Sequence, residues 1–569
     1  MVNHITSSTG FNEHNYSTYR NSFPNREKEE THFCTANSSY SRKSLSQNSN
    51  LDRVVRTEIE PQSMINSQFL TRELLSQFER YCHQIEQHYL FKKQHLMMTM
   101  EQTNPSFQTS EHVKNISKTS KHSSLSTAKS ISPTKYGEQH HSTITTHTNS
   151  TIHRQNISIV VGMSGGVDSS LTACLLKEFG FNVMALHMRN WDSAEEDPSK
   201  QFCTFTKDWN DVKTMCDKYQ IPLVGDGMHP VEFIDEYWND VFERLLDGYI
   251  QGQTPNPDLF CNKFIKFDAM LKYAQEKCGA DYIGTGHYAQ IGYEHASGCN
   301  ATTTMTPHTT MTNKTTPPPH TTTTPPHTII PNIPATHLLR AIDHSKDQSY
   351  FLAFVNKHAF HSSLFPLGGF LKTDHVRLLA RDYFKFPNEL WNRKDSVGIC
   401  FIGKRKFKDF LSKYINITPG NIISIVDKQT ILGKHDGISF YTIGQGIGLS
   451  GMKDKWFVCE KDTRNNILYA CPGNDHYSLM KSEFSISNCH WLEDVTSESN
   501  EDNNKDYYVK VRYNQKEPFA CSIEKIENDK YKIVLKEEQA RAIAPGQVAV
   551  LYKRMNEFPE MVCVGGGIY

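Results

Sequence analysis

The chain has 569 residues, too many for a single hydrophobic core, so several domains are expected. Hydrophobic residues make up 37% of the sequence, below the roughly 45–50% of an ordinary globular domain, and this predicts unstructured stretches. The 61 basic and 62 acidic side chains balance, which excludes a wholly basic coat for nucleic acid but permits a local basic face. No apolar run approaches the roughly 18–20 residues of a membrane span and no secretory signal is recognisable, so we expect a soluble protein that does not bind membranes.

The fourteen cysteines are spread along the chain, and no two lie closer than 12 residues. This spacing excludes the C-x₂-C pattern of zinc knuckles and of thioredoxin-like redox sites. In the absence of a secretory signal the thiols are expected to be reduced, and most of them to be small core residues.

Residues 1–155 are rich in Ser, Thr, Asn, His and Gln, a composition that buries too little apolar surface to offset the entropy of ordering. We therefore predict a disordered N-terminal arm. Residues 69–97 are an exception, because apolar side chains recur there at helical spacing. These side chains are Leu70, Leu74, Phe78, Tyr81 and Ile85. The segment is interpreted either as a marginal or coiled-coil helix or as a helix that binds a partner.

The globular part is predicted to begin at residue 157. Residues 157–161 are a β-branched run typical of a buried strand, residues 169–179 have helical spacing, and residues 182–187 again resemble a strand. This βαβ order predicts a parallel sheet with helices on both faces, in an α/β domain that spans residues 156–400.

A biased segment interrupts this domain. Residues 301–336, here called the Thr/Pro insert, contain 15 Thr and 8 Pro. The insert separates strand-like pieces at 288–291 and 337–340, as in a hairpin whose tip has expanded. Farther on, short strands with Gly-rich turns predict a small central β-rich domain at residues 401–478 and a C-terminal β-barrel at residues 479–569.

The residues after the first predicted strand are typical of a phosphate-binding loop. Glycines let the backbone approach a phosphate, and the following helix presents free N–H groups and a partial positive charge. The loop lacks the Lys of a Walker A motif and does not fit G-x-G-x-x-G. It reads Gly162-Met163-Ser164-Gly165-Gly166-Val167-Asp168-Ser169.

This loop resembles the pyrophosphate-binding PP-loop of the ATP pyrophosphatases, which cleave ATP between the α and β phosphates and adenylate a carbonyl-type oxygen. The resemblance implies that these eight residues bind ATP and that Asp168 helps to hold Mg²⁺ beside the pyrophosphate. The loop alone does not name the substrate, because GMP, NAD and argininosuccinate synthetases and several tRNA-thiolating enzymes all have one.

Two cysteine-containing segments narrow the choice, namely residues 254–267 around Cys261 and residues 396–403 around Cys400. Together with other short motifs they resemble the tRNA-specific 2-thiouridylases (the MnmA/TRMU family) over residues 157–569, apart from the Thr/Pro insert. The other motifs are at residues 284–289, 346–352 and 441–445. The resemblance implies ATP-dependent 2-thiolation of the wobble uridine of tRNA, with adenylation of the C2 oxygen and sulfur transfer from a cysteine persulfide.

The same resemblance implies roles for the two cysteines. Cys400 would carry a persulfide that a sulfur-donor protein, a desulfurase or a sulfur carrier, hands over. Cys261 would act on that persulfide and end in a Cys261–Cys400 disulfide that a reductant must reopen. Nearby cations could lower the thiol pKa values. These cations are Lys263, Lys266, Lys404 and Arg405.

Binding roles are likewise implied by the resemblance. Asn256, Pro257 and Asp258 would contact the target base, which must be flipped out of its loop. Met188 and Gly286 would line the adenine of ATP. A further set would contact tRNA and consists of Lys346, Asp347, Gln348, Arg512 and Tyr513, with residues 404–408 as a possible clamp for the anticodon stem. Gly446 stands where a basic residue is expected after Gln445, which puts one tRNA contact in doubt.

Two alternatives remain at this point. One is a PP-loop amidating ligase resembling GMP synthetase, which would need an ammonia source and no persulfide cysteine. The other is an inactive RNA-binding adaptor, against which the intact loop and the paired cysteines argue. We expect a monomer. We also expect a mitochondrial location, since the biased segments suggest a eukaryotic source and eukaryotic members of the family are mitochondrial.

Overall fold

The computed structural model describes residues 61–103, 154–191, 205–294, 335–394, 406–495 and 507–569. The part before residue 395 contains eight of the described strands. They are β1 Ser158–Gly162, β2 Asn182–Leu186, β3 Met188–Arg189, β4 Val231–Glu232, β5 Tyr282–Gly284, β6 Gln290–Tyr293, β7 Thr336–Leu339 and β8 Ser363–Leu364. Its helices are α1 Pro61–Thr103, α2 Val167–Glu178, α3 Phe205–Tyr219, α4 Ile234–Tyr237, α5 Glu243–Ile250, α6 Pro257–Phe260, α7 Met270–Cys278, α8 Ser349–Leu352, α9 Lys357–Phe360 and α10 Asn388–Trp391.

A four-stranded parallel sheet organises the α/β domain, with strand order β2-β1-β5-β8. Val160 in the middle of β1 is opposite Met184 of β2 and Ile283 of β5. Residues Ile159 to Val161 are completely buried, as expected for a strand with helices on both faces of its sheet. The predicted α/β fold with a parallel sheet is confirmed.

Wider, π-helical turns interrupt the helices of this domain at several places. One π-helix, Cys261–Ala269, joins α6 to α7, so residues 257–278 form one continuous helical run. The others are Trp238–Phe242, Lys372–Val376 and Leu379–Tyr383. Such π-turns occur often at functional sites, and two of these begin at Cys261 and Lys372.

Helix α1 is longer than predicted and has a different environment. Its buried residues Leu74, Phe78, Cys82 and Ile85 belong to the same hydrophobic cluster as the residues of β1. The helix is therefore part of the α/β domain and not a separate coiled coil. The rest of the predicted N-terminal arm, residues 1–60 and 104–153, lies outside the described residues.

The predicted hairpin around the Thr/Pro insert exists, because β6 and β7 pair antiparallel with Ile291 opposite Leu338. Thr336 was assigned to the insert, but it is completely buried and is the first residue of β7. The insert therefore ends before Thr336, since the pairing of Thr336 with Tyr293 belongs to the hairpin. Residues 295–334 lie outside the described residues.

The central domain begins with α11, Phe407–Leu411, and contains one five-stranded sheet with strand order β10-β9-β13-β12-β11. Neighbouring strands are antiparallel except β9 and β13, which are parallel. The strands are β9 Gly420–Ser424, β10 Ile431–His435, β11 Gly446–Ile447, β12 Trp456–Asp462 and β13 Ile467–Pro472. Short 3₁₀ turns lie at Ile438–Phe440 and Tyr477–Leu479.

Six antiparallel strands close into the C-terminal barrel in the order β15-β18-β17-β16-β20-β21, with β21 pairing back to β15. The strands of this region are β14 Met480–Lys481, β15 Glu483–Trp491, β16 Tyr507–Lys510, β17 Phe519–Glu527, β18 Lys530–Leu535, β19 Ala540–Arg541, β20 Val548–Lys553 and β21 Val562–Ile568. The β6–β7 hairpin of the α/β domain joins the barrel sheet, because Leu339 of β7 pairs with Val562 of β21. The predicted barrel is confirmed, and its continuity with the hairpin was not predicted.

None of the helices within the described ranges is long enough and apolar enough to cross a lipid bilayer.

Candidate active site

The predicted phosphate loop connects β1 to α2 at the carboxyl edge of the parallel sheet, where α/β proteins bind their ligands. Ser169 closes the loop on itself, because its Oγ accepts from the Ser164 N–H at 3.1 Å and lies 3.2 Å from Ser164 Oγ. Gly166 is the N-cap of α2 and has no side chain that could cap the helix. The first N–H groups of the helix therefore remain available to an anion.

Two glycines are required by the close packing of this loop. Gly165 has φ +78°, and a Cβ there would lie 2.7 Å from the carbonyl oxygen of Asp208. Gly286, after β5, approaches the start of α2 so closely that a Cβ would lie 2.8 Å from Ser169 N. The predicted adenine-lining residue Gly286 is therefore next to the PP-loop.

The structure places Met188 at the same edge of the sheet. It begins β3 immediately after His187, whose Nδ1 donates a 2.7 Å hydrogen bond to the carbonyl oxygen of Met163 in the loop. Burial lowers the pKa of His187, although the hydrogen bond to Met163 acts in the opposite direction. Met188 and Gly286 thus lie on either side of the loop, at the ends of the strands that flank β1.

Asp168 is bound by two side chains that sequence reasoning did not identify. Lys372 Nζ lies 2.6 Å from Oδ1 and 2.5 Å from Oδ2 of Asp168, and the Tyr288 hydroxyl donates to Oδ1 at 2.8 Å. Lys372 is only 3% exposed. A nearly buried lysine needs a carboxylate to compensate its charge, and Asp168 compensates the charge of Lys372. Lys372 lies 204 residues from Asp168 in sequence, so no local sequence pattern indicates this ion pair.

Cys261 and the predicted base-contacting residues lie at the start of the helical run 257–278. Asn256 caps this run, since its Oδ1 accepts from the Asp258 N–H at 3.0 Å, and Pro257 occupies the first turn where its missing N–H has no cost. Cys261 is 6% exposed and begins the π-helix. The next residue, Asn262, donates to the carbonyl oxygen of Phe351 at 3.1 Å, which fixes the turn.

The same helical run contacts the PP-loop farther along, at Met270. Met270, nine residues after Cys261, has its Sδ where a Cβ on Gly162 would approach it to 3.1 Å. Cys261 and the first loop residue are thus linked by one short helical element.

Asp258 is the second residue of α6 and lies three residues before Cys261. Its surface remains accessible to solvent, yet surrounding protein desolvates the carboxylate enough to raise its pKa, while the charge of Lys266 acts in the opposite direction. A carboxyl group with a raised pKa next to a candidate nucleophile is typical of a group that exchanges protons during a reaction.

The loop before Asn256 is held by the other two domains. Thr254 N donates to the carbonyl oxygen of Pro545 at 2.7 Å, and Gln547 Nε2 donates to the carbonyl oxygen of Thr254 at 2.5 Å. The Thr254 hydroxyl lies 3.3 Å from that of Thr442 in the central domain. All three domains therefore meet at this loop.

A cavity of about 500 Å³ lies between the central domain and the barrel, beside this junction. Arg512 and Tyr513, two predicted tRNA contacts, line it together with Gln445. Arg512 Nη2 donates to the carbonyl oxygen of Ala542 at 2.7 Å, so its guanidinium is held in place at the cavity wall. Thr442 and Gln547 line the same cavity, which connects it directly to Thr254.

The predicted tRNA-contacting segment 346–348 has a different position. Asp347 is 1% exposed, and its carboxylate lies 3.3 Å from Arg340 Nε and 3.6 Å from Lys510 Nζ. Its observed role is to bind cations of β7 and the barrel within the protein. Gln348 Oε1 accepts from the Tyr288 N–H at 3.0 Å, and Lys346 is partly exposed at the surface. Contact of this segment with tRNA stays a prediction.

Cys400 lies outside the described residues, as do Lys404 and Arg405, so the predicted Cys261–Cys400 pairing stays a prediction. Of the neighbouring basic run, Lys406 is exposed and Lys408 forms an ion pair with Asp436.

Comparison with known proteins gives consecutive matches along the chain. Residues 157–312 and 328–404 match the family model described as tRNA methyl transferase HUP domain. Residues 408–472 match tRNA methyl transferase PRC-barrel domain, and residues 481–569 match Aminomethyltransferase beta-barrel domain.

Relatives with curated names cover the same region. The tRNA-specific 2-thiouridylase MnmA of Haemophilus influenzae is 39% identical over 417 residues, which is 72% of this chain and 92% of the relative. That of Proteus mirabilis is 39% identical over 418 residues, 72% of this chain and 96% of the relative. Helix α1 lies outside the residues matched by the family models, which begin at residue 157. The strand-loop-helix site, the three matched domains and these identities show that the chain belongs to the tRNA-specific 2-thiouridylase family and is a tRNA-uridine 2-sulfurtransferase.

Proposed function

We propose that this enzyme replaces the C2 oxygen of the wobble uridine of tRNA with sulfur, using ATP, Mg²⁺ and a persulfide from a donor protein. The observation that supports this most strongly is that the helical run 257–278 links three features. It carries Cys261, it packs Met270 against Gly162 of the PP-loop, and it begins at the domain junction beside the cavity lined by Arg512 and Tyr513. A tRNA base, a nucleotide and a thiol would have to meet at such a junction.

The PP-loop residues would bind the polyphosphate of ATP. The N–H groups at the start of α2 and the hydroxyls of Ser164 and Ser169 suit phosphate oxygens, and Lys372 adds a positive charge beside them. Asp168 offers the carboxylate oxygens that Mg²⁺ prefers, and its present partner is already a cation, so the residue fits a magnesium ligand. Bound Mg²⁺ would neutralise the charge of the departing pyrophosphate.

The first chemical step would activate the base. The C2 oxygen of uridine attacks the α-phosphorus of ATP, pyrophosphate leaves, and the N3 proton is lost, so that an O2-adenylated uridine results. We assign acceptance of this proton to Asp258, because its side chain is exposed three residues before Cys261 on the same helical run and its raised pKa brings proton exchange closer to neutral pH.

Sulfur transfer would then need both cysteines. The terminal sulfur of the Cys400 persulfide bonds to C2, and AMP leaves with the former C2 oxygen. The Cys261 thiolate attacks Sγ of Cys400, which breaks the bond to the transferred sulfur and leaves 2-thiouridine and a Cys261–Cys400 disulfide. A dithiol reductant must reduce this disulfide, and a donor protein must reload Cys400, before the next turnover.

Binding of tRNA would use the cavity beside Thr254. Arg512 can bind phosphate, Tyr513 can stack on a base, and Gln445 offers amide donors and acceptors. The base itself must leave its loop to reach Asp258, as in other enzymes that modify bases.

We further propose that the enzyme acts as a monomer and that it is located in mitochondria. Fluorescence imaging of the tagged full-length chain tests the location. Signal confined to the cytosol would overturn it.

One assay tests the proposed reaction. Purified enzyme is incubated with tRNA, Mg-ATP, a dithiol reductant and a protein persulfide donor, and 2-thiouridine is measured by mass spectrometry of nucleosides. We expect ATP-dependent formation of 2-thiouridine that is lost in Cys400→Ser. Tight tRNA binding with no thiolation under any of these conditions would instead support the inactive-adaptor alternative.

A further inference from the structure

Helix α1 lies outside the family domains, yet it contacts the segment that leads to Lys372, the lysine that binds Asp168 of the PP-loop. Residues 361–369 comprise β8, the edge strand of the parallel sheet, and the turns after it. Lys372 follows three residues later and binds Asp168. A helix that contacts this segment can therefore influence the ATP site without touching ATP.

Three polar side chains of α1 bind the backbone of this segment. Gln77 Nε2 donates to the carbonyl oxygen of Gly369 at 2.9 Å, and the Tyr81 hydroxyl accepts from the Phe365 N–H at 3.0 Å. Lys92 Nζ donates to the carbonyl oxygen of His361 at 3.2 Å. These contacts satisfy backbone groups of an edge strand and its turns that lack a further strand as partner.

Apolar packing adds to the same contact. Phe78 is 1% exposed and its ring centroid lies 6.2 Å from that of Phe370 and 5.0 Å from that of Phe179 on α2's C-terminal end. Leu367 of the segment and Phe370 directly after it lie in the same hydrophobic cluster as Phe78. The segment is thus fixed from the α1 side by both hydrogen bonds and close packing.

On its other side, the segment contacts residues near the ATP site, so a displacement caused by loss of the α1 contacts would be passed on to them. Gly368 lies against β6, where a Cβ would be 1.7 Å from the carbonyl oxygen of Ala289. Its carbonyl accepts from the Ile342 N–H, and the Lys372 N–H donates to Asp343 at 2.9 Å. A shift of residues 365–369 would move the start of the π-helix at Lys372, and with it the ammonium group on Asp168.

We propose that α1 is a positioning element of the ATP site, which holds residues 361–369 so that Lys372 stays on Asp168 of the PP-loop. This inference rests on the proposed role of the PP-loop in binding ATP. It assigns a function in the reaction to a helix that the family domains do not include.

A second contact of α1 provides a matched control. Arg154, just before β1, binds Glu79 with 2.6 Å between Nη2 and Oε1, and it also binds Glu86. This contact fastens the same helix to the same domain, but it lies away from residues 361–369. A variant of Glu79 should therefore weaken docking of α1 without acting directly on the segment that carries Lys372.

The test compares full-length Q77A/Y81F, Glu79→Gln and Lys372→Met. For each we would measure the melting temperature, hydrogen exchange of residues 361–372, and the affinity for α,β-methylene-ATP with Mg²⁺ by calorimetry. We expect Q77A/Y81F to speed exchange of that segment and to weaken nucleotide binding about three- to tenfold, as for loss of one or two hydrogen bonds. Glu79→Gln should lower the melting temperature with nucleotide affinity unchanged.

The outcomes separate this inference from the proposed function. If Lys372→Met weakens nucleotide binding but Q77A/Y81F does not, the positioning role of α1 is wrong and the ATP site stands. If both α1 variants weaken nucleotide binding in proportion to their loss of stability, α1 is only a structural support and the inference also fails. If Lys372→Met binds the nucleotide as tightly as the unchanged enzyme, the role of Lys372 in the ATP site is itself wrong.

Discussion

Gln547 Nε2 lies 2.5 Å from the carbonyl oxygen of Thr254, so the C-terminal barrel holds the backbone two residues before Asn256. We predict that Gln547→Glu, which keeps the size of the side chain but replaces its donor, slows thiolation severalfold. The physical reason is that the new carboxylate would repel the carbonyl oxygen of Thr254. This would displace the loop that carries Asn256 and Asp258. Single-turnover thiolation rates at saturating tRNA would measure this. Unchanged rates would show that the barrel does not position the loop.

Asp168→Asn should abolish thiolation while leaving tRNA affinity nearly unchanged. The amide keeps the shape of the carboxylate but loses its charge, so it no longer compensates Lys372 and is a poor magnesium ligand. Nucleotide affinity by calorimetry and tRNA affinity by filter binding check the two parts. Glu178→Gln, at the opposite end of the same helix α2, is the control and should retain both. Equal loss of nucleotide and tRNA binding in Asp168→Asn would contradict this division of roles.

The cysteine pair should behave as one unit. Cys261→Ser and Cys400→Ser should each reduce turnover to background with tRNA affinity nearly unchanged, and the double variant should be no worse than either, because groups that act in one step are not additive. Cys278→Ser, on the same helical run as Cys261, should stay active. In the reaction-generated disulfide the two α-carbons would be about 4.4–6.8 Å apart. Substantial turnover of Cys261→Ser with a persulfide donor would make Cys261 a structural residue.

Asp258→Asn should inactivate the enzyme without destabilising it. Because the folded-state pKa of Asp258 is raised, ionisation of this carboxyl opposes folding, and the asparagine variant escapes that effect. The melting temperature of the variant relative to the unchanged enzyme should therefore rise as pH increases through the Asp258 pKa, and the difference should vanish below about pH 4. Thermal melts across pH 4–8 measure it. A variant that is less stable at high pH would mean that the carboxylate is stabilised by a partner.

Removal of the Thr/Pro insert should leave thiolation within a few-fold of the unchanged enzyme. The deletion should span residues 301–334 and keep Ala335 and Thr336, because Ala335 accepts from the Glu294 N–H and Thr336 begins β7 and is completely buried. A short turn can then reconnect the β6–β7 hairpin. Inactivity of a deletion variant with an unchanged melting temperature would assign the insert a role in the reaction.

The features that the sequence predicted correctly are local ones. The PP-loop could be predicted because strand, loop and helix are consecutive, and Gly165 is needed where φ is positive. The β6–β7 hairpin could be predicted because its two strands flank one insert. Each of these patterns is complete within a short stretch of chain, so no distant residue is needed to interpret it.

The features that were missed depend on distant residues. The apolar stripe around Phe78 was interpreted as a separate helix because its partner Phe370 is 292 positions away in sequence, in a segment with no helical signal of its own. Lys372 was missed for the same reason. The contacts of Asp347 with Arg340 and Lys510 were also not predicted from its motif, and contact of its segment with tRNA stays a prediction.

The pairing of Leu339 in β7 with Val562 in β21 has a mechanical consequence. It makes one continuous sheet out of elements from the first and last domains, reinforced by the hydrogen bond from Arg340 N to the carbonyl oxygen of Met561. A hinge rotation between these two domains would have to break this pairing, together with the contact of Arg340 with Lys516 and that of Asp347 with Lys510. In the proposed reaction, the deformation that brings the uridine to the reacting groups would therefore fall on the anticodon loop and not on the contact between these two domains.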